Sequence, residues 1–310
     1  MLLKLKPIFK EKIWGGSRMA DLFEYELHSD KTGECWAICA HSGGQSVIDG
    51  GIYDGWMLGR LWQEHGELFG NSGGSFPLLV KIIDAREDLS IQVHPDDEYA
   101  SANENGALGK TECWYVLDCK ENATIIIGHN AQSKEEMAQM VGQNRWSELL
   151  REVPIRKGDF FQIEPGCLHA IKAGTVILET QQSSDVTYRF YDYGRLENGK
   201  PRALHIEKSL AVTKAPFVPY TAAPQSRTLA GGSVTTLVRC PYYTVELVAV
   251  TKQVTRQWNS SFVNISIIEG NGFINDQPVR AGDHLLKLCD NVELIVQGTL
   301  KMICSYTETN

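Results

Sequence analysis

Residues 158–171 read GDFFQIEPGCLHAI. A short strand over residues 159–163 is followed by the Pro165-Gly166 turn, and His169 then opens a new strand. Short runs of the same kind, bounded by Gly, Pro, Asn and Asp, recur along most of the chain. They are predicted as strands at residues 78–83, 89–93, 112–117, 123–128, 175–180, 187–191, 244–250, 262–268, 292–296 and 300–305. This density of short strands predicts a mainly β fold of the sandwich or barrel type.

Two stretches depart from the strand pattern. Residues 133–150 have a helical composition, and Ser133 with Glu136 forms a capping-box sequence at their start. Residues 56–69 also predict a helix, which a glycine-rich segment ends. We therefore expect helices as insertions in a β protein.

A domain boundary is expected near residues 213–226, where three prolines fall within nine residues. The Gly282-Asp283 step after it echoes Gly158-Asp159 before it, which indicates a weak internal duplication. The later part has a single histidine, His284. We expect two related β-barrels, one with helical insertions over residues 1–215 and the other over residues 216–310.

The composition argues against several classes of protein. The net charge of −8 and a pI near 5.5 disfavour nucleic-acid binding, although a local cation cluster would still suit one phosphate group. No apolar run approaches the length of a membrane helix, which is about 18 residues. The N-terminus is too short and too charged for a signal peptide, so we expect a cytoplasmic protein. The eight cysteines form no C-x-x-C pair and are expected to be buried thiols.

Three separate contexts contain candidate metal ligands. Gln92 and His94 share one face of a predicted strand, and Lys110 and Glu112 share a face of another. His169 begins a third strand. Two histidines and one glutamate with an amide at a fourth corner suit a divalent ion, zinc above all, while iron stays open. Cys167, two residues before His169, was also considered as a ligand, but the turn leaves its direction undecided.

Residues 158–169 resemble the second motif of the cupin superfamily, with the proline displaced by one position. The first cupin motif is stretched, because His94 and Glu112 lie eighteen residues apart, and an insertion of about residues 95–109 would explain the gap. With that gap, the chain resembles type I mannose-6-phosphate isomerases (phosphomannose isomerases) of the short bacterial form. The resemblance covers nearly the whole chain and is carried by residues 9–16, 89–97, 109–112 and 177–192. It implies two cupin-like jelly-roll barrels: a catalytic metal-binding domain with helical insertions over residues 1–215, and a metal-free β domain over residues 216–310.

The resemblance implies roles for particular residues. The zinc ligands of the family fall on Gln92, His94, Glu112 and His169, with Gln92 the least certain of the four. The catalytic arginine falls on Arg189, and Lys110 matches a lysine that precedes the ligand glutamate. Glu179 and Asp185 match acidic site residues. Substrate binding is thereby expected at Lys110, Asp185 and Arg189, and catalysis at Arg189, Lys110 and Glu179.

The chemistry of these side chains agrees with that assignment. An aldose–ketose isomerase moves a proton between C1 and C2 through an enediol, so it needs a base, a stabiliser of negative charge and an anchor for phosphate. Purely structural roles for these residues are the alternatives. Arg189 and Asp185 could form a structural salt bridge, Lys110 could be a solvated loop lysine, and residues 199–205 could reach the phosphate or form a surface turn.

We therefore expect a zinc-dependent enzyme that interconverts mannose 6-phosphate and fructose 6-phosphate. Its partner would be a small sugar phosphate, without nucleic acid or membrane, and the protein would be a monomer or homodimer. One alternative is a metal-dependent cupin enzyme that acts on another sugar phosphate, or an iron oxygenase. Another is a non-catalytic cupin that binds a sugar phosphate as a regulator.

Overall fold

The computed structural model describes residues 1–71, 73–290 and 292–308. Within these ranges the chain is mainly β. The strands of the first half are β1 Leu2–Lys6, β2 Ile8–Gly16, β3 Thr32–Ile38, β4 Ala40–His41, β5 Gly44–Gln45, β6 Val47–Asp49, β7 Leu78–Ala85, β8 Ile91–Val93, β9 Glu112–Cys119, β10 Thr124–His129, β11 Leu150–Pro154, β12 Phe160–Ile163 and β13 His169–Ala170. The later strands are β14 Thr175–Gln182, β15 Tyr188–Tyr191, β16 Leu196–Glu197, β17 Lys200–Pro201, β18 Gln225–Leu229, β19 Gly232–Arg239, β20 Thr244–Val250, β21 Gln253–Arg256, β22 Phe262–Ile274, β23 Gln277–Arg280, β24 His284–Leu288 and β25 Leu294–Tyr306.

The helices are short and lie between the strands. They are α1 Arg18–Phe23, α2 Leu58–Glu64, α3 Asp97–Asn103, α4 Lys134–Gly142, α5 Trp146–Leu149 and α6 Ile206–Val212, with 3-10 turns at Gly51–Tyr53 and Gly66–Phe69. None of the helices in the described ranges is long and apolar enough to cross a membrane.

The strands form three main sheets. A six-stranded sheet has the order β12-β9-β14-β7-β2-β3, and a five-stranded sheet has the order β11-β10-β13-β8-β15. A third sheet runs β18-β19-β20-β25-β22-β24-β1-β6, with β21 paired to β25 and β23 to β22. The first two sheets supply the candidate site.

Burial on both faces explains the composition of the central strands. In β7 every residue is buried. Val80 and Ile82 join a core with Leu237, Phe262 and Ile303 from the third sheet. The alternate residue Ile83 packs on the other side, in a core shared with strand β10 of the five-stranded sheet. The six-stranded sheet is thus the middle layer, and a polar residue on its inner face points into the space between the first two sheets.

Two predicted helices are each divided in the structure. The predicted helix over residues 133–150 is split into α4 and α5 at Asn144, whose φ is 55°. Glu136 N–H donates to Ser133 Oγ at 3.1 Å, as the capping-box sequence predicts, whereas the Glu136 carboxylate accepts from Gln132 N–H instead. The predicted helix over residues 56–69 becomes α2 followed by a 3-10 turn.

The N-terminal strand belongs by sequence to the first predicted domain but pairs within the third sheet. β1 pairs with β24 on one side and with β6 on the other, so it lies inside the third sheet. The division at residue 215 stays a prediction, and strands from the first half contribute to the sheet of the second.

Candidate metal and sugar-phosphate site

Neighbouring strands bring the predicted ligands together. Glu112 opens β9, where it lies opposite Gln181 of β14 and Ile163 of β12. His169 opens β13 in the facing sheet, directly opposite Gln92 of β8. His94 follows the end of β8. The Pro-Gly turn before His169 lets the chain pass from one sheet to the other, which places this histidine against Glu112.

His94, Glu112 and His169 form one compact cluster. One ligand atom from each residue lies within 4.8 Å of the others, and all three side chains are buried. The Nε2 atom of His94 is 3.4 Å from Glu112 Oε2, and the Nε2 atom of His169 is 3.5 Å from Glu112 Oε1. The two imidazole rings are 4.7 Å apart between centroids.

The hydrogen bonds of the two histidines fix which nitrogen faces the cluster. The Nδ1 of His94 contacts the Val186 carbonyl at 2.9 Å, and the Nδ1 of His169 contacts the Cys167 carbonyl at 2.9 Å. A carbonyl can only accept, so both Nδ1 atoms carry the proton and both Nε2 lone pairs point at the carboxylate. Lone pairs that face a carboxylate in a buried space call for a cation between them. The residues present therefore fit a divalent metal ion.

Charge states in the cluster also favour metal binding. Burial lowers the pKa of His94 to about 3, and the Lys110 charge adds to this effect. Burial likewise lowers the pKa of His169. For Glu112 burial opposes ionisation, but the Lys110 ammonium together with His94 and His169 outweighs it and holds the pKa well below its usual range. Neutral imidazoles and an ionised carboxylate are the forms that bind metal.

Lys110 is buried in the site and is not a solvated loop lysine. Its Nζ lies 2.9 Å from Glu112 Oε2 and 3.3 Å from His94 Nε2. Burial would lower the pKa of Lys110, but the Glu112 and Glu179 carboxylates outweigh it and raise that pKa to about 12. Lys110 is therefore a fixed positive charge next to the metal cluster.

Gln92 lies at the edge of the cluster. Its Nε2 is 3.2 Å from His169 Nε2, while its Oε1 is 3.5 Å from Ser90 Oγ. A rotation of the amide by 180° would present the oxygen to the cluster instead, because the two ends of the group have the same shape. Gln92 is within reach of a metal, and its role as ligand stays a prediction.

The remaining predicted residues line one cavity of about 360 Å³ beside the cluster. Lys110, Glu179, Asp185 and Arg189 all contribute to its wall. The Arg189 guanidinium donates to Ser90 Oγ at 3.3 Å and to the Ala203 carbonyl at 2.9 Å. The Asp185 carboxylate is two-thirds exposed and lies 3.9 Å from His41 Nε2. These contacts hold Arg189 through Ser90 and Ala203, and leave Asp185 open to the cavity.

Glu179 lies at the inner end of the cavity. Its carboxylate accepts from Lys81 Nζ at 3.2 Å and from the Trp114 indole at 3.2 Å. Burial and the nearby Glu112 charge raise the pKa of Glu179. Trp114 also donates to Glu112 at 3.0 Å, so one indole orients both carboxylates.

Sequence reasoning missed part of this cavity. Lys81, Glu34 and Lys12 line it. Lys81 is a lysine in a fully buried and mostly apolar strand, a pattern that could have marked it. Arg202 and His205 also line the cavity, so residues 199–205 reach it rather than forming only a surface turn. Cys167 lines a separate apolar cavity with residues 216–220.

The chain matches two protein-family models. Residues 2–118 match the catalytic domain of type I phosphomannose isomerase, and residues 233–307 match the cupin domain of mannose-6-phosphate isomerase. Mannose-6-phosphate isomerase ManA of Bacillus subtilis is 46% identical over 98% of both chains. The mannose-6-phosphate isomerase of Streptococcus mutans is 45% identical, also over 98% of each.

Solved structures agree in fold. The crystal structure of the mannose 6-phosphate isomerase from Bacillus subtilis matches with a TM-score of 0.96 and 44% identity, covering 98% of this chain and 99% of that one. A mannose 6-phosphate isomerase bound with zinc and yttrium matches with a TM-score of 0.80 over 99% of this chain and all of that one. At 17% identity the second comparison supports the fold alone.

Proposed function

We propose that this chain, which belongs to the type I phosphomannose isomerase family, interconverts mannose 6-phosphate and fructose 6-phosphate through an enediol with one bound zinc ion. The observation that carries the proposal is the cluster of two imidazole Nε2 atoms that face a buried carboxylate, beside a cavity lined by Lys110, Glu179 and Arg189. The reaction needs no external oxidant or reductant, since the hydrogen lost at C2 is replaced at C1.

His94, Glu112 and His169 would hold the ion, with the Gln92 amide as a fourth ligand. When bound there, a divalent ion would stabilise the negative charge that develops on the substrate oxygens. Zinc suits two imidazoles, a carboxylate and an amide, and such a set can leave a position for a substrate oxygen. The choice of zinc over iron is part of the proposal.

Glu179 is the better placed group for proton transfer, and Lys110 for charge stabilisation. The raised pKa of the Glu179 carboxyl brings it nearer to the range in which a group can both accept and return a proton. In the proposed step it takes the proton from C2, the C–H electron pair forms the C1–C2 double bond, and the π pair of the C1 carbonyl moves to O1. The O2 proton then passes to O1, the pair left on O2 forms the C2 carbonyl, and the C1–C2 π pair takes the proton back from Glu179 at C1. Lys110 stays protonated and stabilises the enediolate oxygens.

Arg189 and Asp185 complete the proposed substrate site. A guanidinium can bind a phosphate or stabilise the enediolate, and Arg189 lies near Arg202, whose charge, after burial, lowers the pKa of Arg189. Because Arg202 also donates to the Asp192 carboxylate at 2.7 Å, the positive charge offered to a dianionic phosphate is mainly that of Arg189. Asp185, open to the cavity, would accept a hydrogen bond from a sugar hydroxyl.

The wider organisation is also proposed. The first domain, residues 1–215, would be a metal-binding cupin barrel, and the second, residues 216–310, a metal-free cupin-like barrel whose buried His284 bonds to Tyr25 and Ser266. The enzyme would act in the cytoplasm as a monomer or homodimer on a free sugar phosphate.

The test is a coupled assay of fructose 6-phosphate formation, with metal analysis of the same sample. We expect chelation to abolish the activity and zinc to restore it, because the cluster would hold the ion that stabilises the enediolate charge. Restoration by ferrous iron in preference to zinc would favour the iron alternative. Activity in a protein that is demonstrably free of metal would contradict the mechanism. Binding of mannose 6-phosphate without conversion would favour the regulatory alternative.

A further inference from the structure

A continuous row of side chains crosses the six-stranded sheet on the face that lines the cavity. Trp36 of β3 lies opposite Lys81 of β7, Lys81 lies opposite Glu179 of β14, and Glu179 lies opposite Trp114 of β9. Direct cross-strand neighbours share a face of the sheet. The row therefore runs from the metal cluster to a part of the cavity wall that the proposed mechanism does not use.

The two ends of this row repeat one local device. The tripeptide Glu-Cys-Trp occurs at residues 34–36 and again at residues 112–114. In each copy the tryptophan indole donates to the glutamate two residues earlier, at 2.7 Å for Glu34 and 3.0 Å for Glu112. Glu34 is therefore held by the same kind of indole hydrogen bond as the proposed metal ligand Glu112. It is a buried carboxylate that faces the same cavity.

Glu34 is paired with Lys12, whereas Glu112 faces Lys110 and two histidines. The Nζ of Lys12 lies 3.3 Å from Glu34 Oε1. The β2–β3 pairing slips between Lys10–Glu34 and Glu11–Thr32, so Gly33 is the extra residue of a bulge. A Cβ at Gly33 would lie 2.7 Å from Lys12 Cβ, and the missing side chain lets the lysine stem lie across the strand.

The charges of this pair suit hydroxyl groups better than phosphate. The Lys12 ammonium and the Glu34 carboxylate neutralise each other, and the carboxylate would repel an anion. Each of these groups has hydrogen-bonding capacity beyond its mutual contact, since an ammonium has three donors and a carboxylate about four acceptor sites. A sugar hydroxyl both donates and accepts, which matches a donor beside an acceptor. Their side chains are 32% and 12% exposed, so the pair is open to a ligand in the cavity.

Lys10 closes the outer end of this wall. Its Nζ donates to the Gly43 carbonyl at 2.9 Å and lies 3.1 Å from the centroid of the Trp36 ring. The Lys10 ammonium is therefore already engaged by a carbonyl and an aromatic ring of the protein, and its contact with the ring holds Trp36 in place. Lys12 is therefore the cation of this wall that is available to a ligand together with Glu34.

We propose that Lys12 and Glu34 form a hydroxyl-binding subsite that holds neighbouring hydroxyls of the hexose chain on the wall provided by the six-stranded sheet, away from Arg189 on the five-stranded sheet. The inference rests on the proposed function, because it assigns these hydroxyls to the sugar phosphate of the isomerase. Lys12 and Glu34 would set recognition of the carbon chain rather than of the phosphate.

The experiment uses two probes on the full-length, zinc-loaded protein. Mannitol 6-phosphate carries the hydroxyls and the phosphate without a reacting carbonyl, and inorganic phosphate carries only the anion. In Lys12→Met and Glu34→Gln we expect the KM for mannose 6-phosphate and the inhibition constant of mannitol 6-phosphate to rise about tenfold, as for loss of one hydrogen bond to a charged group. The change should fall mainly on KM, and the inhibition constant of inorganic phosphate should stay the same.

Matched controls are Lys6→Met and Glu64→Gln, whose side chains are at least half exposed and lie outside the cavity wall. Metal content and melting temperature check that each variant is folded and loaded. Equal weakening of inorganic phosphate would overturn the proposal by making Lys12 a phosphate ligand, and unchanged mannitol 6-phosphate binding would overturn it by making the pair structural. If the wild-type protein shows no isomerisation, the proposed function fails, while calorimetry with mannitol 6-phosphate on the same variants still decides the subsite.

Discussion

Arg189 shows how one side chain can serve the site without holding the metal. Its guanidinium is anchored by Ser90 and the Ala203 carbonyl, and it faces the cavity from the edge strand of the five-stranded sheet. The metal cluster is formed by other residues. We therefore expect Arg189→Ala to keep its zinc and to lose about a hundredfold in kcat, the cost of removing one preorganised charge stabiliser.

Steady-state kinetics with metal analysis of the purified variant check this expectation. Arg156→Ala is a suitable control, because that side chain is 89% exposed and pairs with Asp159 on the surface. Loss of zinc from Arg189→Ala would instead make the arginine a structural support of the cluster.

At the same scale, the sequence predicted the three side chains of the cluster but not their surroundings. His94, Glu112 and His169 stand in local motifs that can be matched one by one, and the structure brings them together. Lys12 and Glu34 became neighbours only through the pairing of β2 with β3, which is set by a bulge. A contact of that kind between distant segments produces no periodic pattern of apolar and polar residues in either segment, so the sequence alone does not predict it.

The segment between His94 and Glu112 forms a loop whose two ends are hydrogen-bonded to each other. Helix α3 is N-capped by Asp96, whose carboxylate accepts from Tyr99 N–H at 2.9 Å. The segment closes where Lys110 N–H donates to the Pro95 carbonyl at 3.1 Å and Gly109 N–H donates to Asp97 Oδ1 at 2.8 Å. These hydrogen bonds bring the two ends of the insertion together, so both ends lie at the cluster although His94 and Glu112 are eighteen residues apart in the sequence.

Gly109 allows that closure. A Cβ at this position would lie 2.4 Å from the Asp96 carbonyl carbon and 2.5 Å from Asp97 N. Because the obstacle is backbone, we expect Gly109→Ala to lower the free energy of unfolding by about 1–3 kcal/mol and to reduce zinc affinity by shifting Lys110 and Glu112. Urea unfolding and a competitive zinc titration measure the two effects.

Gly142→Ala is the matched control, since a Cβ there would meet nothing within 4 Å and the residue ends helix α4. It should be neutral or stabilising, by up to about 1 kcal/mol. A Gly109→Ala protein as stable as wild type would mean that the insertion can relax without moving the cluster.

Element boundaries were where sequence reasoning was weakest. The strand over residues 244–250 was predicted with its observed bounds, because an alternating run is bounded there by turns. In contrast, the runs at residues 292–296 and 300–305 were predicted as separate strands and are parts of β25, which continues through Gly298 at a φ of 123°. A glycine in a strand marks a bend as readily as an end, and the sequence does not distinguish the two.

At the scale of the whole molecule, the N-terminal residues link the two halves. β1 lies between β24 and β6, and Tyr25 from the first half reaches His284 from the second. The Tyr25 hydroxyl donates to the Gly282 carbonyl at 2.7 Å, so it accepts from His284 Nε2–H at 2.9 Å. The Nδ1 of His284 then accepts from Ser266 Oγ at 2.9 Å, which describes a neutral imidazole.

This buried histidine should make the stability of the protein depend on pH. Burial lowers the pKa of His284 to about 4, against an ordinary value near 6.5 in the unfolded chain. Between these two values the unfolded state binds one proton more than the folded state, so stability is present above about pH 6.5 and is lost as the pH falls towards 4. From pH 7 to pH 5 the contribution of His284 should fall by about 2 kcal/mol, at about 1.4 kcal/mol per pH unit below 6.5.

The comparison is between wild type and His284→Gln, both loaded with zinc, by urea unfolding at pH 7 and at pH 5. The glutamine does not titrate, so its loss of stability over this range should be smaller than that of wild type by about 2 kcal/mol. His28→Gln, at an exposed position, should lose as much as wild type. An equal pH dependence in the His284→Gln and wild-type proteins would show that the pKa of His284 is not lowered in the folded protein, and would contradict the expectation.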